Sequence, residues 1–203
     1  LISASWDKTI RIWNLRSGAT TTVLTSHGGG LYAAAISPDG ALVGGIVPIA
    51  SGCLGECSYC ITRLARGALR SVPPEAVADL MASEVGLGHA EIKLTAQDTG
   101  AYGADIGTDL PSLLELLISL RDDRMEGRDF RIRVGMMNPD RALGLQDRLV
   151  GLWGHPRIFR FLHLPVQSGD DGILKAMGRR YTVADFESLV SRFRSAHPGL
   201  TLS

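Results

Sequence analysis

The chain has 203 residues, of which 45% are hydrophobic and 21% charged, and its 21 lysines and arginines balance its 21 aspartates and glutamates. This composition provides enough apolar side chains for a core, and the zero net charge argues against strong nonspecific binding to nucleic acids, which depends on neutralising phosphates. The sequence contains no apolar run long enough to cross a membrane and no secretion signal, so we expect a cytoplasmic protein with no membrane partner.

Residues 1–45 differ in character from the rest of the chain. The run Ser5-Trp6-Asp7-Lys8-Thr9-Ile10-Arg11-Ile12-Trp13-Asn14-Leu15 has a strand-like alternation, and turn signals follow at Ser17-Gly18 and Ser37-Pro38-Asp39-Gly40. These residues resemble one repeat of a WD-type β-propeller. A blade needs neighbouring blades to bury its faces, so one copy does not make a propeller. We therefore predict a WD-repeat-like β segment over 1–45, grafted onto a core that spans 46–203. The strands of the segment are expected to pair locally or stay loose.

All three cysteines of the chain lie in one short loop. An apolar run over 46–50 predicts a buried strand, and the glycine that follows predicts a tight turn. Cys53, Cys57 and Cys60 come next, with the spacing C-x3-C-x2-C. Three thiolates can hold three corners of an iron-sulfur cube and leave the fourth iron open for a non-protein ligand. In α/β barrels, the carboxyl end of a strand is also where active sites form.

Other roles for these thiols stay open. A structural zinc site normally has four protein ligands, and no histidine lies within a few residues of Cys60, so zinc is the weaker interpretation. A disulfide framework would leave one cysteine unpaired, and a chain of this length does not need one. Three buried, unreactive thiols are the simplest alternative, which the compact spacing and the flanking glycines disfavour.

After the cysteine loop, the hydrophobic pattern alternates between the helical and the strand period. It predicts helices over 74–86, 110–122 and 142–152 and from 182 onward, and strands over 91–95, 130–135 and 158–164. Thr182 and Asp185 form a capping-box pattern at the start of the last helix. Strands that alternate with helices indicate an α/β fold with a parallel sheet and helical crossovers.

Several motifs within 46–203 resemble one enzyme family. In chain order they are Gly52-Cys53-Leu54-Gly55-Glu56-Cys57-Ser58-Tyr59-Cys60, Ala65-Arg66-Gly67, Ser71-Val72-Pro73-Pro74-Glu75, Leu94-Thr95-Ala96-Gln97-Asp98-Thr99-Gly100-Ala101-Tyr102-Gly103, Arg133-Val134-Gly135-Met136-Met137-Asn138-Pro139 and Phe161-Leu162-His163-Leu164-Pro165-Val166-Gln167-Ser168-Gly169. Together they are similar to the core of the radical S-adenosylmethionine (SAM) methylthiotransferases. The wording of Asp105-Ile106-Gly107-Thr108-Asp109-Leu110-Pro111 is most similar to the archaeal and eukaryotic branch, which acts on N6-threonylcarbamoyladenosine in tRNA. Related branches modify isopentenyladenosine in tRNA or an aspartate of a ribosomal protein.

The resemblance implies a fold, cofactors and a reaction. The fold is the radical-SAM partial (β/α)6 barrel, here incomplete because the chain stops where the fifth core strand would start. Cys53, Cys57 and Cys60 are implied to bind a [4Fe-4S] cluster whose open iron binds SAM. An electron from a donor such as a flavodoxin or ferredoxin then cleaves SAM, and the deoxyadenosyl radical removes a hydrogen from the tRNA nucleoside, which is methylthiolated at C2. An auxiliary cluster on three upstream cysteines supplies the sulfur in this family, and this chain has no such cysteines, so we expect it to be incomplete for the full reaction.

Polar side chains near the cysteines and after the strands are candidate cofactor ligands. Tyr59 is expected to pack beside the cluster near the adenine of SAM, with simple core packing as the alternative. Gln97 and Asp98 follow the second core strand, and Gln167 and Ser168 follow the fourth, so both pairs should lie at the same mouth as the cluster. Their amide, carboxylate and hydroxyl groups suit hydrogen bonds to SAM or to a base. Loop capping is the alternative role, above all for Asp98.

Charged side chains interrupt the apolar pattern of the predicted strands. Lys93, Arg133 and His163 would point into the lumen of a partial barrel, where they could bind anionic groups of SAM or of the nucleoside. Internal ion pairs or a solvated edge strand are equally good explanations.

Arginine clusters are the candidate contacts for tRNA. They comprise Arg63, Arg66 and Arg70 after the cysteine loop and Arg179-Arg180 before the last helix. Such groups are usually solvated charges, so we expect tRNA to bind this chain weakly.

Two function classes follow from these observations. The leading hypothesis is a radical SAM enzyme core of the tRNA-methylthiolating type, with Cys53, Cys57 and Cys60 as its catalytic metal ligands. The alternative is an interaction fragment of the WD-repeat type, whose cysteines are idle or hold zinc. Iron uptake and SAM cleavage distinguish the two hypotheses.

Overall fold

The computed structural model describes residues 2–4, 10–13, 17, 19–24 and 44–203. Its first elements are three short strands, β1 (Ile2–Ala4), β2 (Ile10–Trp13) and β3 (Thr20–Leu24), which pair antiparallel in that order. The local strand pairing expected for this segment is therefore present. Much of the propeller-like motif, including Trp6 and the turn at 37–40, lies outside the described residues, so the WD-repeat resemblance stays a prediction.

Residues 44–203 contain an alternating series of strands and helices. The strands are β4 (Gly45–Pro48), β5 (Ala50–Ser51), β6 (Arg70–Ser71), β7 (Glu91–Thr95), β8 (Arg131–Val134), β9 (Phe161–Leu162) and β10 (Thr201–Leu202). The helices are α1 (Thr62–Arg66), α2 (Pro74–Gly86), α3 (Leu110–Ser119), α4 (Pro139–Leu152), α5 (Asp171–Ala176) and α6 (Val183–Ala196).

The main strands run parallel. β4, β7 and β8 pair in that order, and β9 pairs with β10. A single parallel bridge between Ile132 and Ile158 connects the two groups. The predicted α/β class with a parallel sheet is thus confirmed.

Capping signals in the sequence mark where the helices begin. Thr182 and Asp185 form the predicted capping box at α6: the Asp185 N–H donates to Thr182 Oγ1 at 3.1 Å, and the Thr182 N–H donates to Asp185 Oδ2 at 2.8 Å. At α3, Asp109 accepts a hydrogen bond from the Ser112 N–H at 2.8 Å. Proline stands in the first turn of α2, α3 and α4, where its missing N–H has no intrahelical partner to lose.

The core lies between one face of the sheet and the helices. Val47, Ile92 and Ile132, from β4, β7 and β8, are fully buried in one hydrophobic cluster with Met81 of α2 and Leu114 of α3. Side chains alternate along a strand, so the residues next to Val47, Ile92 and Ile132 on each strand face the other side of the sheet. That other side carries the charged residues of the strands, which explains why the strands do not read as continuous apolar runs.

The helix predicted over 110–122 was too long at its carboxyl end. It ends at Ser119 because Leu120 has an extended backbone. Asp122 instead accepts the N–H of Arg124 at 2.9 Å and so caps a separate short turn. The helix predicted over 142–152 was too short, since α4 begins three residues earlier.

The strand predicted over 158–164 was also too long. The Phe161 N–H donates to the Phe159 carbonyl at 2.7 Å, a local turn that interrupts the ladder after Ile158. Trp153, fully buried, then donates its indole N–H to the Phe161 carbonyl at 3.1 Å. Within the described residues, the structure contains no helix that is both long and apolar enough to span a bilayer.

Candidate active site

The loops that follow the parallel strands meet at the carboxyl edge of the sheet. The cysteine loop (residues 52–60) follows β4 and the two-residue β5, Asp98 follows β7, and Asn138 follows β8. Cys57, Asp98 and Asn138 line one small pocket at this edge, together with Arg179. The structure therefore brings Cys57 and Asp98 to the same pocket, and their shared role at the mouth of the site stays a prediction.

A short hairpin and one glycine set the path of the cysteine loop. β5 and β6 pair antiparallel at its base. Gly52 has a φ of +72°, and a Cβ at this position would lie 2.0 Å from the Ala68 carbonyl oxygen, so only glycine fits. The Cys53 N–H then donates to the Gly67 carbonyl at 3.2 Å, which holds the first cysteine against the end of α1.

Backbone groups surround the sulfur atoms. The Gly55 N–H donates to Cys53 Sγ at 3.1 Å, and a Cβ on Gly55 would lie 3.2 Å from Cys53 Sγ and 3.6 Å from Cys57 Sγ, so this glycine leaves room between the two sulfurs. The Thr62 N–H lies 3.4 Å from Cys60 Sγ, and Thr62 Oγ1 lies 3.0 Å from the same sulfur. Such hydrogen bonds to sulfur are typical of iron-sulfur ligands, so the donor set fits a cluster.

The same loop fits a single metal ion poorly. Over the part of the chain that the structure describes, no three histidine, cysteine, aspartate or glutamate side chains converge to hold one ion. A tetrahedral zinc site needs its ligands around one point. The ligands of a [4Fe-4S] cube bind different irons, so they do not converge in this way. The described residues thus contain no converging set for a single ion, and their arrangement is compatible with a cluster whose ligands bind different irons.

The thiols differ in their electrostatic surroundings. Burial raises the pKa of Cys57, while the nearby Arg179 guanidinium acts in the opposite direction. The contact with the Thr62 side chain, together with the Thr62 N–H, lowers the pKa of the exposed Cys60 thiol. Cys60 thus lies at the solvent side of the loop, and Cys57 faces the interior and Arg179.

Asp98 is buried and holds two loops together. Its Oδ1 accepts the N–H groups of Gly100 and Asn138, both at 3.1 Å, and its Oδ2 accepts the Asn138 amide at 2.7 Å. Burial raises the pKa of Asp98, and these hydrogen bonds oppose that shift. Asp98 therefore has the loop-capping contacts that were its alternative role, and its predicted contact with SAM stays a prediction.

A chain of hydrogen bonds runs from Asp98 to the cysteine loop. Asn138 Oδ1 accepts a hydrogen bond from Arg179 Nη1 at 2.6 Å, and Arg179 Nη2 donates to the Tyr59 hydroxyl. The Tyr59 hydroxyl in turn donates to Gln167 Oε1 at 3.0 Å. We call Asp98, Asn138, Arg179, Tyr59 and Gln167 the Arg179 network. It brings together three of the predicted cofactor-binding residues, Tyr59, Asp98 and Gln167.

Gln167 has an unusual backbone. Its φ of +73° is the one positive value at a non-glycine residue in the described part of the chain. Non-glycine residues in this region are held there by their surroundings and concentrate at functional sites. The neighbouring Ser168 hydroxyl accepts the Asp170 N–H at 3.2 Å, which leads into α5, so Ser168 has a capping contact. Gln97 is half-buried between β7 and Asp98.

Arg133 lies in a second cluster, on the face of the sheet opposite the hydrophobic core. Its Nε forms an ion pair with Glu91, and its guanidinium lies 4.6 Å from the ring centre of Phe159 and 4.8 Å from that of Phe161. We call Arg133, Glu91, Phe159 and Phe161 the Arg133 cluster. The internal ion pair that was the alternative role of Arg133 is therefore present, and its contact with SAM stays a prediction.

The other two candidates on this face differ from Arg133. Lys93 of β7 is exposed and pairs in register with Arg133 of β8. His163 is half-buried, and its ring meets Phe161 edge-on at 6.3 Å. Both side chains lie on the polar face that the alternation of the strands predicts.

Asn138 and Arg179 were not predicted as site residues from the sequence. Arg63 and Arg180 are exposed and pair with Glu56, as expected of solvated charges. Arg179 was grouped with them, but it is half-buried and bonded to Asn138 and Tyr59. The signal that distinguishes it is Gly178 directly before it, because a glycine there lets the chain approach the cysteine loop closely.

Comparison with known proteins places this site in a family. The model of the Radical SAM superfamily matches residues 47–202. The probable threonylcarbamoyladenosine tRNA methylthiotransferase of Pyrococcus abyssi is 50% identical over 157 residues, which cover 77% of this chain and 36% of the relative. The threonylcarbamoyladenosine tRNA methylthiotransferase of Drosophila melanogaster is 44% identical over 158 residues, 78% of this chain and 28% of the relative. The chain thus spans about a third of the length of these relatives.

Solved structures share the fold at lower identity. The radical S-adenosylmethionine methyltransferase TsrM from Kitasatospora setae, with tryptophan substrate and a SAM analog bound, superposes with a TM-score of 0.59 at 19% identity and covers 79% of this chain and 29% of its own. The cobalamin-dependent S-adenosylmethionine radical enzyme OxsB gives a TM-score of 0.55 at 13% identity, with 77% and 22% covered. These likenesses establish the common fold.

Proposed function

Because this chain belongs to the radical SAM superfamily, we propose that residues 46–203 are the SAM-cleaving core of a tRNA methylthiotransferase. The substrate that we propose is N6-threonylcarbamoyladenosine in tRNA. The names of the relatives from Pyrococcus abyssi and Drosophila melanogaster support this choice over the other branches. The observation that carries the proposal is the loop of Cys53, Cys57 and Cys60 at the carboxyl edge of the parallel sheet.

Three thiolates would hold a [4Fe-4S] cluster and leave one iron for SAM. When bound, the cluster supplies the electron for reductive cleavage of SAM. The chain's own residues fix the geometry: Gly52 turns the loop, and the N–H groups of Gly55 and Thr62 hold the sulfurs of Cys53 and Cys60. The bonds from Asp98 to Asn138 join the loops after two neighbouring strands, so the mouth is rigid before SAM binds.

Tyr59 and Gln167 are the proposed SAM contacts with the best support. Both are exposed, both lie at the carboxyl edge, and they bond to each other at 3.0 Å. An aromatic ring with a polar tip suits the adenine and ribose of SAM. Gln97 and Ser168 are secondary candidates, and the contacts of Arg133 with Glu91 make it a weaker one.

An electron donor must reach the cluster from outside the chain. Cys60 is exposed, and α1, which follows it, contains no buried residue. Arg63 and Arg66 lie in the last turn of α1. We therefore propose that an acidic one-electron carrier of the flavodoxin or ferredoxin type approaches at this helix, because complementary charge speeds association.

The architecture that we propose is a partial barrel with an appended segment. The strands β4, β7, β8, β9 and β10 would be consecutive parallel strands of the radical-SAM barrel. The antiparallel strands β1 to β3 support a separate β segment within 1–45, of the WD-repeat type. The cytoplasm is the proposed location, since an oxygen-sensitive cluster needs a reducing compartment.

The ligand assignment predicts that Cys57→Ala abolishes SAM cleavage. The variant and the unmodified protein would be reconstituted anaerobically with iron and sulfide, reduced with dithionite, and assayed for 5′-deoxyadenosine. Cys57→Ala should yield none, because a cluster with two cysteine ligands is not held. Glu56→Gln is the matched control from the same loop, since the Glu56 side chain is 58% exposed and makes only surface ion pairs in the described structure.

Two outcomes of this assay would contradict the proposal. Unchanged turnover in Cys57→Ala would refute the ligand assignment. A colourless unmodified protein with stoichiometric zinc would instead support the interaction-fragment alternative.

A further inference from the structure

Arg179 occupies a fixed place beside the cysteine loop. Its guanidinium bonds to Asn138 on one side and to the Tyr59 hydroxyl on the other, and it lies 5.7 Å from the centre of the Tyr59 ring. Arg179 and Cys57 line the same pocket. The guanidinium is therefore held between Tyr59, which separates the second and third cysteines in the chain, and Asn138, which is bonded to the buried Asp98.

The backbone around Arg179 is clamped onto the same loop. The Ser58 N–H donates to the Met177 carbonyl at 3.0 Å, and the Ser58 hydroxyl donates to the Ala176 carbonyl at 2.9 Å. Gly178 has a φ of +74°, and a Cβ there would lie 3.0 Å from the Glu56 carbonyl oxygen and 3.7 Å from Cys57 Cα. This close approach fixes the distance between the Arg179 backbone and Cys57.

The partners of the Arg179 guanidinium also differ from those of the neighbouring arginines. Arg63 and Arg180 each pair with the Glu56 carboxylate, at 2.8 Å and 3.1 Å, on the exposed side of the loop. Arg179 instead has neutral hydrogen-bond partners in the described structure, the Asn138 amide and the Tyr59 hydroxyl, and its buried Nε has none there. A half-buried cation without a carboxylate partner acts more strongly on nearby charges than a paired, solvated one.

We propose that Arg179 is a positioning residue that raises the reduction potential of the cluster held by Cys57 and orients Tyr59 beside it. This inference rests on the proposed function, since it needs the cluster. Reduction adds an electron to the cluster, and a fixed cation nearby stabilises the reduced form. Arg179 supplies no ligand to iron, so the cluster should assemble without its charge.

The test compares three variants of the reconstituted protein: Arg179→Met, Arg179→Lys and the control Arg180→Met. The readouts are iron per chain and the midpoint potential from a redox titration followed by electron paramagnetic resonance. We expect full iron loading throughout, and a shift to a more negative potential in Arg179→Met that clearly exceeds the shift in Arg180→Met. Arg180 is the matched control because it is the next residue, but its side chain is 66% exposed and paired with Glu56.

The lysine variant separates charge from geometry. Arg179→Lys keeps the charge but cannot reach Asn138 and Tyr59 together, because lysine lacks the planar fork of arginine. We expect its potential to stay near that of the unmodified protein. Its SAM cleavage should still fall, though by less than the roughly 10- to 100-fold loss expected for Arg179→Met.

Each remaining outcome decides the proposal. Equal potentials in Arg179→Met and Arg180→Met at equal iron content would overturn it. If Arg179→Met loads poorly, Arg179→Gln, which is neutral but can still form hydrogen bonds, takes its place in the titration. Poor loading of both neutral variants would overturn the proposal by showing a role in assembly. An unmodified protein that takes up no iron would refute the proposed function itself, which is a distinguishable result.

Discussion

The Arg179 network lies in loops at the carboxyl edge of the sheet, and the Arg133 cluster lies on the polar face of the sheet. Each contains an arginine, a carboxylate and an aromatic ring. In the Arg133 cluster, the guanidinium pairs directly with Glu91 and packs over Phe159 and Phe161. In the Arg179 network, the carboxylate of Asp98 is one residue removed, because Asn138 stands between it and the guanidinium.

This difference decides what each arginine can do. Glu91 pairs with the charge of Arg133, so we expect the Arg133 cluster to contribute mainly to stability. The Asn138 side chain bonds to both Asp98 and Arg179, so it holds the guanidinium in place with a neutral group. The positive charge of Arg179 can therefore act on the cysteine loop. The identity of the partner, more than the presence of an arginine, therefore separates a structural assembly from one that serves a site.

The largest effect on stability should come from the anchor of the Arg179 network. Asp98→Ala removes the acceptor for the N–H groups of Gly100 and Asn138 and leaves them unpaired in a buried place. We expect the free energy of unfolding to fall by about 3 kcal/mol, measured by urea denaturation. Asp98→Asn is the matched control, because it keeps one acceptor oxygen and should lose less. Equal stability of Asp98→Ala and the unmodified protein would contradict the anchoring role of Asp98.

A smaller effect should come from the Arg133 cluster. Arg133→Met removes the ion pair with Glu91, whose side chains are 27% and 22% exposed, while it keeps apolar contact with the phenylalanines. We expect the free energy of unfolding, measured by urea denaturation, to fall by about 1 kcal/mol, and the reduction potential of the iron-sulfur cluster to stay unchanged. A potential shift as large as that of Arg179→Met would show that both arginines act on the cofactor.

The architecture followed from local signals in the sequence. The strand over Glu91–Thr95 and the helix over Pro74–Gly86 were predicted with their observed bounds, because their periodicity and their proline and glycine ends agree. The strand predicted over 158–164 was too long because a turn at Phe159 and Phe161 interrupts its ladder, and the indole of the buried Trp153 donates to the Phe161 carbonyl beside this turn. Such tertiary effects leave no pattern in a single sequence.

The site was predictable where its chemistry is local. The spacing of the three cysteines indicated a cluster, and Tyr59 was identified because it lies between them. Arg179 was not, since it is separated from Tyr59 by 120 residues, and only the fold brings the two together. Arg133 was favoured for its place in a strand, and its partner Glu91 lies on the neighbouring strand, where pairing register rather than sequence distance decides contact.

The proposed cluster site is tested most directly by the metal content and the electron paramagnetic resonance spectrum of the anaerobically reconstituted, reduced protein, recorded with and without SAM. If the three cysteines leave one iron open, the protein should contain about four irons per chain, and SAM should change the spectrum. A protein that holds zinc instead of iron, or a cluster spectrum that SAM leaves unchanged, would contradict the assignment of Cys53, Cys57 and Cys60 as ligands of a SAM-binding cluster.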